Sequence, residues 1–90
     1  MEEVFVRCEV ANGIFTDERE VTIDTREGER ITFLTNKAFV QSSSLGEKPV
    51  EGKLKVVVVK QAKDEALIRL PSQSFPAANN IWVMRRNIER

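Results

Sequence analysis

The 90-residue sequence contains no histidine, no tyrosine and a single cysteine. Histidine is the commonest general acid or base in enzymes and the commonest metal ligand, so its absence excludes most nucleophile triads and the usual zinc sites. The lone Cys8 cannot form a disulfide within the chain, which is typical of proteins from reducing compartments. These absences predict no catalytic residue, no metal site and no cofactor, and they favour a cytoplasmic location.

The sequence also lacks a long apolar run and a recognisable leader. No segment approaches the roughly 18 apolar residues that a membrane-spanning helix requires. The first six residues, MEEVFV, have neither the basic region nor the apolar region of a secretory signal peptide. Hydrophobic residues make up 41% and charged residues 31% of the chain, the balance of a soluble globular protein. We therefore expect a single domain over residues 1–90 and no membrane association.

Alternation of apolar and polar residues predicts a protein built mostly of β-strands. In the first predicted strand, every second residue from Val4 to Val10 is apolar. The segment 26–29 predicts a hairpin loop, because its glycine supplies the left-handed conformation that such a turn needs. The predicted strands are 3–11, 19–25, 30–35, 53–60, 66–70 and 81–86. About six short antiparallel strands indicate an all-β domain, either a small barrel or a half-open barrel that hides its strand edges.

Three segments could instead contain helical turns. Residues 36–41 fit either a short strand or a helical turn capped by Asn36. Residues 16–18 can start a single helical turn. Residues 61–70 are rich in helix formers, but we prefer a strand at 66–70, because its apolar residues match those of the strand before it.

The connecting segments carry further expectations. Two polar runs, 42–52 and 71–80, predict long surface loops, with Phe75 anchoring the second loop to the core. The pair 14–15, isoleucine and phenylalanine, is expected to turn inward after the first strand. Residues 87–90 are expected to fray, since chain ends are poorly ordered unless another element holds them.

Charge is distributed unevenly, although the net charge is zero. Residues 1–30 hold nine acidic and four basic side chains, and residues 31–90 hold ten basic and five acidic ones. Neighbouring strands of opposite charge would form ion pairs across the sheet. Alternatively, the later part of the chain presents a basic face to an anionic partner.

The carboxy-terminal strands are apolar on both faces. One alternating set is expected to fill the core: Leu54, Val56, Val58, Ala66, Ile68, Leu70, Ile81 and Val83. The residues between them point the other way and are also apolar: Val57, Val59, Leu67, Trp82 and Met84. We expect this second face to be covered, either by loop 42–52 or residues 36–41, or by a partner.

This pattern favours a non-catalytic protein-binding or assembly module that uses the carboxy-terminal sheet face to hold a protein partner or to form a homodimer. Tryptophan and arginine are enriched at the energetic centres of interfaces. The predicted partner-binding residues are Val57, Val59, Leu67, Trp82 and Met84, with Arg85 and Arg86 as the charged rim.

Two alternatives stay open. A small barrel that places an aromatic residue among basic strands can bind nucleic acid, although an isoelectric point of about 6.3 is low for that function. The residues for that interpretation are Trp82, Lys53, Lys55, Lys60, Lys63, Arg69, Arg85 and Arg86. An enzyme subunit whose site lacks histidine would depend on Asp, Glu, Lys or Ser.

Overall fold

The chain folds almost entirely into β-strands, as its sequence predicts. A computed structural model describes residues 2–71 and 80–90. The strands are β1 (Glu2–Asn12), β2 (Glu18–Asp24), β3 (Arg30–Asn36), β4 (Val40–Ser42), β5 (Val50–Gln61), β6 (Glu65–Arg69), β7 (Asn80–Met84) and β8 (Ile88–Glu89). Two 3₁₀ turns, Lys37–Phe39 and Arg85–Asn87, are the helical elements of the described residues.

All eight strands belong to one antiparallel sheet that curves into a half-barrel. The main strand order is β3-β2-β1-β5-β6-β7, with β4 paired to β5 and β8 paired to β1. The longest pairing joins β1 to β5, from Glu2 opposite Val58 to Val10 opposite Val50. The expectation of a small or half-open barrel is therefore confirmed in its half-open form.

The core lies on one face of this curved sheet. Its residues occupy alternate positions of the long strands, because successive side chains of a strand point to opposite faces. The buried apolar residues are Val4, Val6, Cys8, Val10, Val21, Ile23, Phe33, Leu54, Val56, Val58, Ala66, Ile68, Leu70, Ile81 and Val83. The whole inward set that the sequence predicts for the carboxy-terminal strands is confirmed.

The β2–β3 hairpin is the local element that the sequence predicts best. Its turn is closed by hydrogen bonds from the Thr25 N–H to the Glu29 carbonyl (2.8 Å) and from the Gly28 N–H to the Thr25 carbonyl (3.0 Å). Gly28 has a φ of +86°, which an L side chain rarely adopts. The predicted role of this glycine is confirmed.

Three segments were compatible with a helical turn, and the structure forms one in the first of them. Residues 36–41 contain both alternatives: the Asn36 side chain accepts a hydrogen bond from the Ala38 N–H (2.8 Å) and caps a 3₁₀ turn, after which β4 begins. Residues 61–70 hold strand β6, as preferred. Residues 16–18, which could start a helical turn, do not: Thr16 and Asp17 form a non-helical turn in which the Glu18 N–H donates to the Phe15 carbonyl (3.0 Å), and β2 begins at Glu18.

Pairing with distant strands also extends the sheet into regions expected to be irregular. Strand β5 starts at Val50 rather than at residue 53, because Val50–Gly52 pair with β1. A Cβ atom on Gly52 would lie 2.6 Å from the Gln41 carbonyl oxygen, so this close approach of β4 requires glycine. The fraying expected at 87–90 is wrong as well, because Ile88 and Glu89 form β8 against β1.

Two further expectations concern apolar residues in turns. Ile14 and Phe15 do not turn inward: they are 76% and 68% exposed in the turn between β1 and β2. Strand β7 ends at Met84, two residues earlier than predicted, because Arg85 starts a 3₁₀ turn. Phe75, the expected anchor of loop 71–80, lies outside the described residues.

Candidate partner-binding surface

The outer side of β5–β7 carries the apolar residues predicted to point away from the core. We call this surface the apolar outer face; it consists of Val57, Val59, Leu67, Trp82 and Met84. All five side chains are partly buried. Leu67 lies directly opposite Trp82 on neighbouring strands, and Met84 lies opposite Glu65. The structure therefore brings these residues onto one side of three adjacent strands.

A β-bulge shapes this surface. The pairing of β5 with β6 shifts between Val58, which faces Ile68, and Lys60, which faces Leu67. Val59 is the extra residue in this shift, and a bulge of this kind bends its strand and increases the twist. As a consequence Lys60 lies on the same side as Leu67, beside the apolar outer face.

Arg26 packs on Trp82 from the β2–β3 hairpin. Its guanidinium carbon lies 5.0 Å from the centroid of the indole ring, within the range of a cation–π interaction. Its backbone N–H donates a hydrogen bond of 2.9 Å to the Trp82 carbonyl. The hairpin turn is thereby attached to β7, although β3 and β7 are the two ends of the main strand order.

Two carboxylates hold the Arg26 side chain in this position. Its Nε donates to Glu27 (2.9 Å) and its Nη1 donates to Glu65 (3.1 Å). These hydrogen bonds, the one to Glu27 first, raise the pKa of Arg26 above its ordinary value, and the same bond lowers the pKa of Glu27. Arg26 and Glu27 therefore both stay charged at neutral pH, and their ion pair holds the guanidinium group over the Trp82 ring.

The covers proposed from the sequence pack elsewhere. Phe39 and Val40 from the 36–41 segment, and Leu45 and Val50 from the 42–52 segment, pack against the buried core. Arg26 contacts Trp82 instead, and no pattern in the sequence singles this arginine out.

Basic side chains border the apolar outer face. Lys60 lies opposite Leu67, and Arg69 lies opposite Val57. Both are exposed, and neither forms an ion pair with any residue in 2–71 or 80–90. This border can therefore accept carboxylates from outside the described part of the chain.

The two arginines predicted as the rim differ from each other. Arg85 is committed to the β5–β6 turn: its N–H donates to the Asp64 carbonyl (2.9 Å) and its Nη1 to the Lys63 carbonyl (3.0 Å). Arg86 is exposed and lines a cavity of about 510 Å³ together with Met84 and Arg26. Arg86 thus lies beside Met84 and also lines a second cavity together with Arg85, at the end of the half-barrel.

The same cavity is bordered by the β2–β3 hairpin. Thr25 lines it, and the Thr25 hydroxyl is buried without a hydrogen bond of good geometry. It still contributes, as the smallest influence, to the lowered pKa of Glu27. The cavity thus combines the apolar Met84 and the cationic Arg86 with polar groups that include the Thr25 hydroxyl and the Asp24 carboxylate.

The outer side of β1–β3 has a different chemistry, and we call it the polar outer face. Arg30 on β3 binds Glu9 on β1 (3.0 Å) and Asp24 on β2 (3.1 Å). The hydroxyls of Thr22 and Thr32 lie 2.9 Å apart. These contacts confirm the expectation of ion pairs across strands, although here the partners all come from residues 1–30.

Other ion pairs join the acidic beginning of the chain to the basic remainder. Glu2 binds Arg90 (2.8 Å), and Glu3 binds Lys55 (3.5 Å). The hydrogen bond from Arg90 is the main cause of the lowered pKa of Glu2. Part of the charge asymmetry is therefore neutralised within the sheet.

Three large apolar side chains are the most exposed in the described residues: the sequence predicted Ile14 and Phe15 to turn inward, and it did not single out Leu34. Ile14 and Phe15 occupy the β1–β2 turn, and Leu34 lies on β3 with 36% exposure. The available signal was that Ile14 and Phe15 follow Gly13 in a turn, where no strand alternation assigns them to the core.

The single thiol of the chain lies in the core. Cys8 is buried, and this burial raises the pKa of its thiol to about 12, so it is not a reactive thiolate at neutral pH. Within residues 2–71 and 80–90, no group of three histidine, cysteine or acidic side chains could hold a metal ion. In the same residues, no helix has the length and apolarity to cross a membrane.

These observations stand without support from relatives. No known protein-family model matches the sequence, and neither the curated proteins nor the solved structures contain a significant match.

Proposed function

We propose that this domain is a non-catalytic binding module whose apolar outer face docks a protein partner that presents apolar side chains framed by carboxylates. The observation that carries the proposal is the apolar outer face itself. The other outer surface of the same half-barrel carries polar residues, so the apolar one stands out. Since fold alone does not specify function, the argument rests on the chemistry of this surface.

The area of the face agrees with the centre of a modest interface. The five apolar side chains are partly buried, so their exposed area supplies only the central part of the roughly 800 Å² that each partner of a standard interface buries. The remainder would come from the polar surroundings, chiefly Lys60, Arg69 and Arg86. A tryptophan at the centre with arginines around it is the composition of energetically dominant interface residues.

The charges favour a different protein over a second copy. In a two-fold dimer centred on Trp82, the same patch would meet itself, and Lys60, Arg69 and Arg86 of one copy would approach those of the other. Like charges across an interface suppress association. A partner with carboxylates around an apolar centre would instead satisfy these cations.

The experiment is a selection from a random peptide library displayed on phage, with the purified domain as bait. We expect the enriched peptides to combine large apolar residues with flanking Asp or Glu. Leu67→Ala and Trp82→Ala should weaken a selected peptide by about 30-fold or more, as for dominant interface residues. Arg69→Gln should weaken acidic peptides and leave their neutral analogues unchanged.

Leu34→Ala is the matched control, because it removes an exposed leucine from the polar outer face. Peptides that bind equally well to Leu67→Ala and to the unmodified domain would overturn the proposal. So would a dimer in sedimentation equilibrium that Leu67→Glu dissociates, since the face would then hold a second copy. Tight, salt-sensitive binding of single-stranded oligonucleotides that Trp82→Ala abolishes would assign the face to nucleic acid instead.

A further inference from the structure

A small basic cavity lies at the end of the half-barrel, beside the β5–β6 turn. Its volume is about 280 Å³. Four of its lining residues are cationic, and no aspartate or glutamate lines it. The lining residues are Val58, Gln61, Lys63, Ala66, Arg85, Arg86, Ile88 and Arg90.

The composition of this cavity differs from that of a larger one. The larger cavity, about 670 Å³, is lined by two cations, Arg7 and Lys53, and by two carboxylates, Glu51 and Glu89. Arg7 and Lys53 both bind Glu89 there, at 2.9 and 2.6 Å. Its charges are therefore balanced within the chain, whereas those of the basic cavity are not.

The fold assembles the basic cavity from three separate elements. Lys63 comes from the β5–β6 turn, Arg85 and Arg86 from the second 3₁₀ turn, and Arg90 follows β8. The Arg85 N–H binds the Asp64 carbonyl, which joins the 3₁₀ turn to the β5–β6 turn. The Ile88 N–H binds the Arg85 carbonyl and directs β8 back towards β1.

Two of the guanidinium groups are held in place. Arg85 donates to the Lys63 carbonyl at 3.0 Å. Arg90 donates twice to the Glu2 carboxylate, at 2.8 and 3.1 Å. Glu2 neutralises Arg90, so Lys63, Arg85 and Arg86 supply the unbalanced charge. Groups held before binding lose less conformational entropy when a ligand arrives.

We propose that this cavity binds a small ligand through a diphosphate group. Guanidinium groups match phosphate oxygens with paired hydrogen bonds, and lysine adds a point charge. The buried side chains of Val58 and Ala66 form an apolar wall, which strengthens the field of nearby charges. The volume is slightly below the roughly 300 Å³ at which ligand pockets begin, so it accommodates an anionic group and not a whole large ligand.

The test is a calorimetric titration of the intact domain at low ionic strength with inorganic diphosphate and, separately, with a nucleoside diphosphate. We expect saturable one-to-one binding. Lys63→Gln and Arg86→Gln should each raise the dissociation constant about tenfold, the loss expected for one charge-assisted hydrogen bond. Lys48→Gln, which removes an exposed charge outside the cavity, should leave it unchanged.

The two ligands distinguish the source of the diphosphate group. Equal affinity would identify a free anion as the ligand, and tighter binding of the nucleoside form would identify a nucleotide. Absence of saturation up to about 10 mM, well above the range of specific small-ligand affinities, would overturn the proposal. An equal loss in Lys48→Gln would also overturn it, because the attraction would then belong to the overall charge.

This inference does not rest on the proposed docking of a protein partner. Lys63→Gln should leave a selected peptide bound as before, and Trp82→Ala should leave diphosphate binding as before. Circular dichroism of each variant verifies that the fold is intact, so that either function can fail alone.

Discussion

The two outer faces of the half-barrel are built from strands of the same sheet but use opposite chemistry. On the polar outer face, Arg30 bridges Glu9 and Asp24, and threonine hydroxyls pair across strands. On the apolar outer face, Leu67 packs beside Trp82, and the charge of Arg26 is placed over the ring. Both faces point away from the core, and their side chains are satisfied in different ways.

The comparison shows what a sheet requires on its solvent side. Charged and hydroxyl side chains satisfy each other across strands and need no further cover, as on the polar outer face. Apolar side chains on that side leave apolar area exposed to water unless another group covers it. Arg26 covers part of Trp82, and Lys60 and Arg69, which form no ion pair within residues 2–71 and 80–90, lie beside the rest. On the proposed function, a partner would cover the remaining apolar area of this face.

The largest expected effect is on stability, and it tests whether the apolar outer face behaves as a surface or as a second hydrophobic core. Leu54→Ala removes a fully buried leucine and should lower the free energy of unfolding by about 2–5 kcal/mol. Leu67→Ala removes a partly buried leucine of the apolar outer face and should lower it by about 1 kcal/mol. Urea unfolding followed by circular dichroism measures both. Equal losses would mean that the apolar outer face is a second core, and the contrast between the faces would disappear.

An intermediate effect concerns Arg26 and can be followed optically, because Trp82 is the single tryptophan of the chain. Arg26→Ala removes the group over the indole ring, so we expect emission at longer wavelength and faster quenching by acrylamide. Arg30→Ala is the matched control, since Arg30 closes the same hairpin but binds the polar outer face. Unchanged quenching in Arg26→Ala would show that the arginine does not cover the ring in solution.

Much of the fold follows from the sequence because alternation alone determines it. The inward residues of β1, β5, β6 and β7 are all buried as predicted, since a strand with one covered face repeats every two residues. Strand β8 was not predicted, and a strand at β4 was only one of two alternatives for residues 36–41, because two or three residues carry no periodic signal. They exist through their partners: Val40 faces Leu54, and Ile88 faces Val6.

The candidate surface was predictable in part for the same reason. Its five apolar residues follow from the alternation of β5, β6 and β7. Arg26 could not be identified, because it is 56 positions from Trp82 in the sequence and reaches it through the curvature of the sheet. The bulge at Val59 was also missed, so the position of Lys60 beside Leu67 had no sequence signal.

The smallest expected effect uses pH to act on charged contacts alone. Hydrogen bonds from Lys53 and Arg7 lower the pKa of Glu89 below its ordinary value of 4.5. Its ionised form therefore stabilises the fold above pH 4.5, and this contribution is lost as the pH falls through the lowered pKa. Glu89→Gln should be slightly less stable than the unmodified domain at pH 7, and the difference should disappear once the pH lies well below the lowered pKa of Glu89.

Thermal unfolding at several pH values measures this difference, with Glu47→Gln as a control that removes a carboxylate without an ion pair among the described residues. A constant difference between the Glu89 variant and the unmodified domain at all pH values would show that the loss is not electrostatic. The Leu67→Ala difference, in contrast, should change little with pH, because no titrating group is removed.

The bulge at Val59 reverses the alternation of inward and outward side chains along β5, the longest of the described strands. Without it, the two-residue repeat that buries Leu54, Val56 and Val58 would place Lys60 on the inner side of the sheet opposite Ala66, where the neutral Gln61 lies instead. The extra residue moves the ammonium outside and aligns Gln61 with Ala66. Strand β5 thus stays continuous up to the β5–β6 turn. It places the neutral amide of Gln61 at the mouth of the basic cavity and the ammonium of Lys60 beside the apolar outer face.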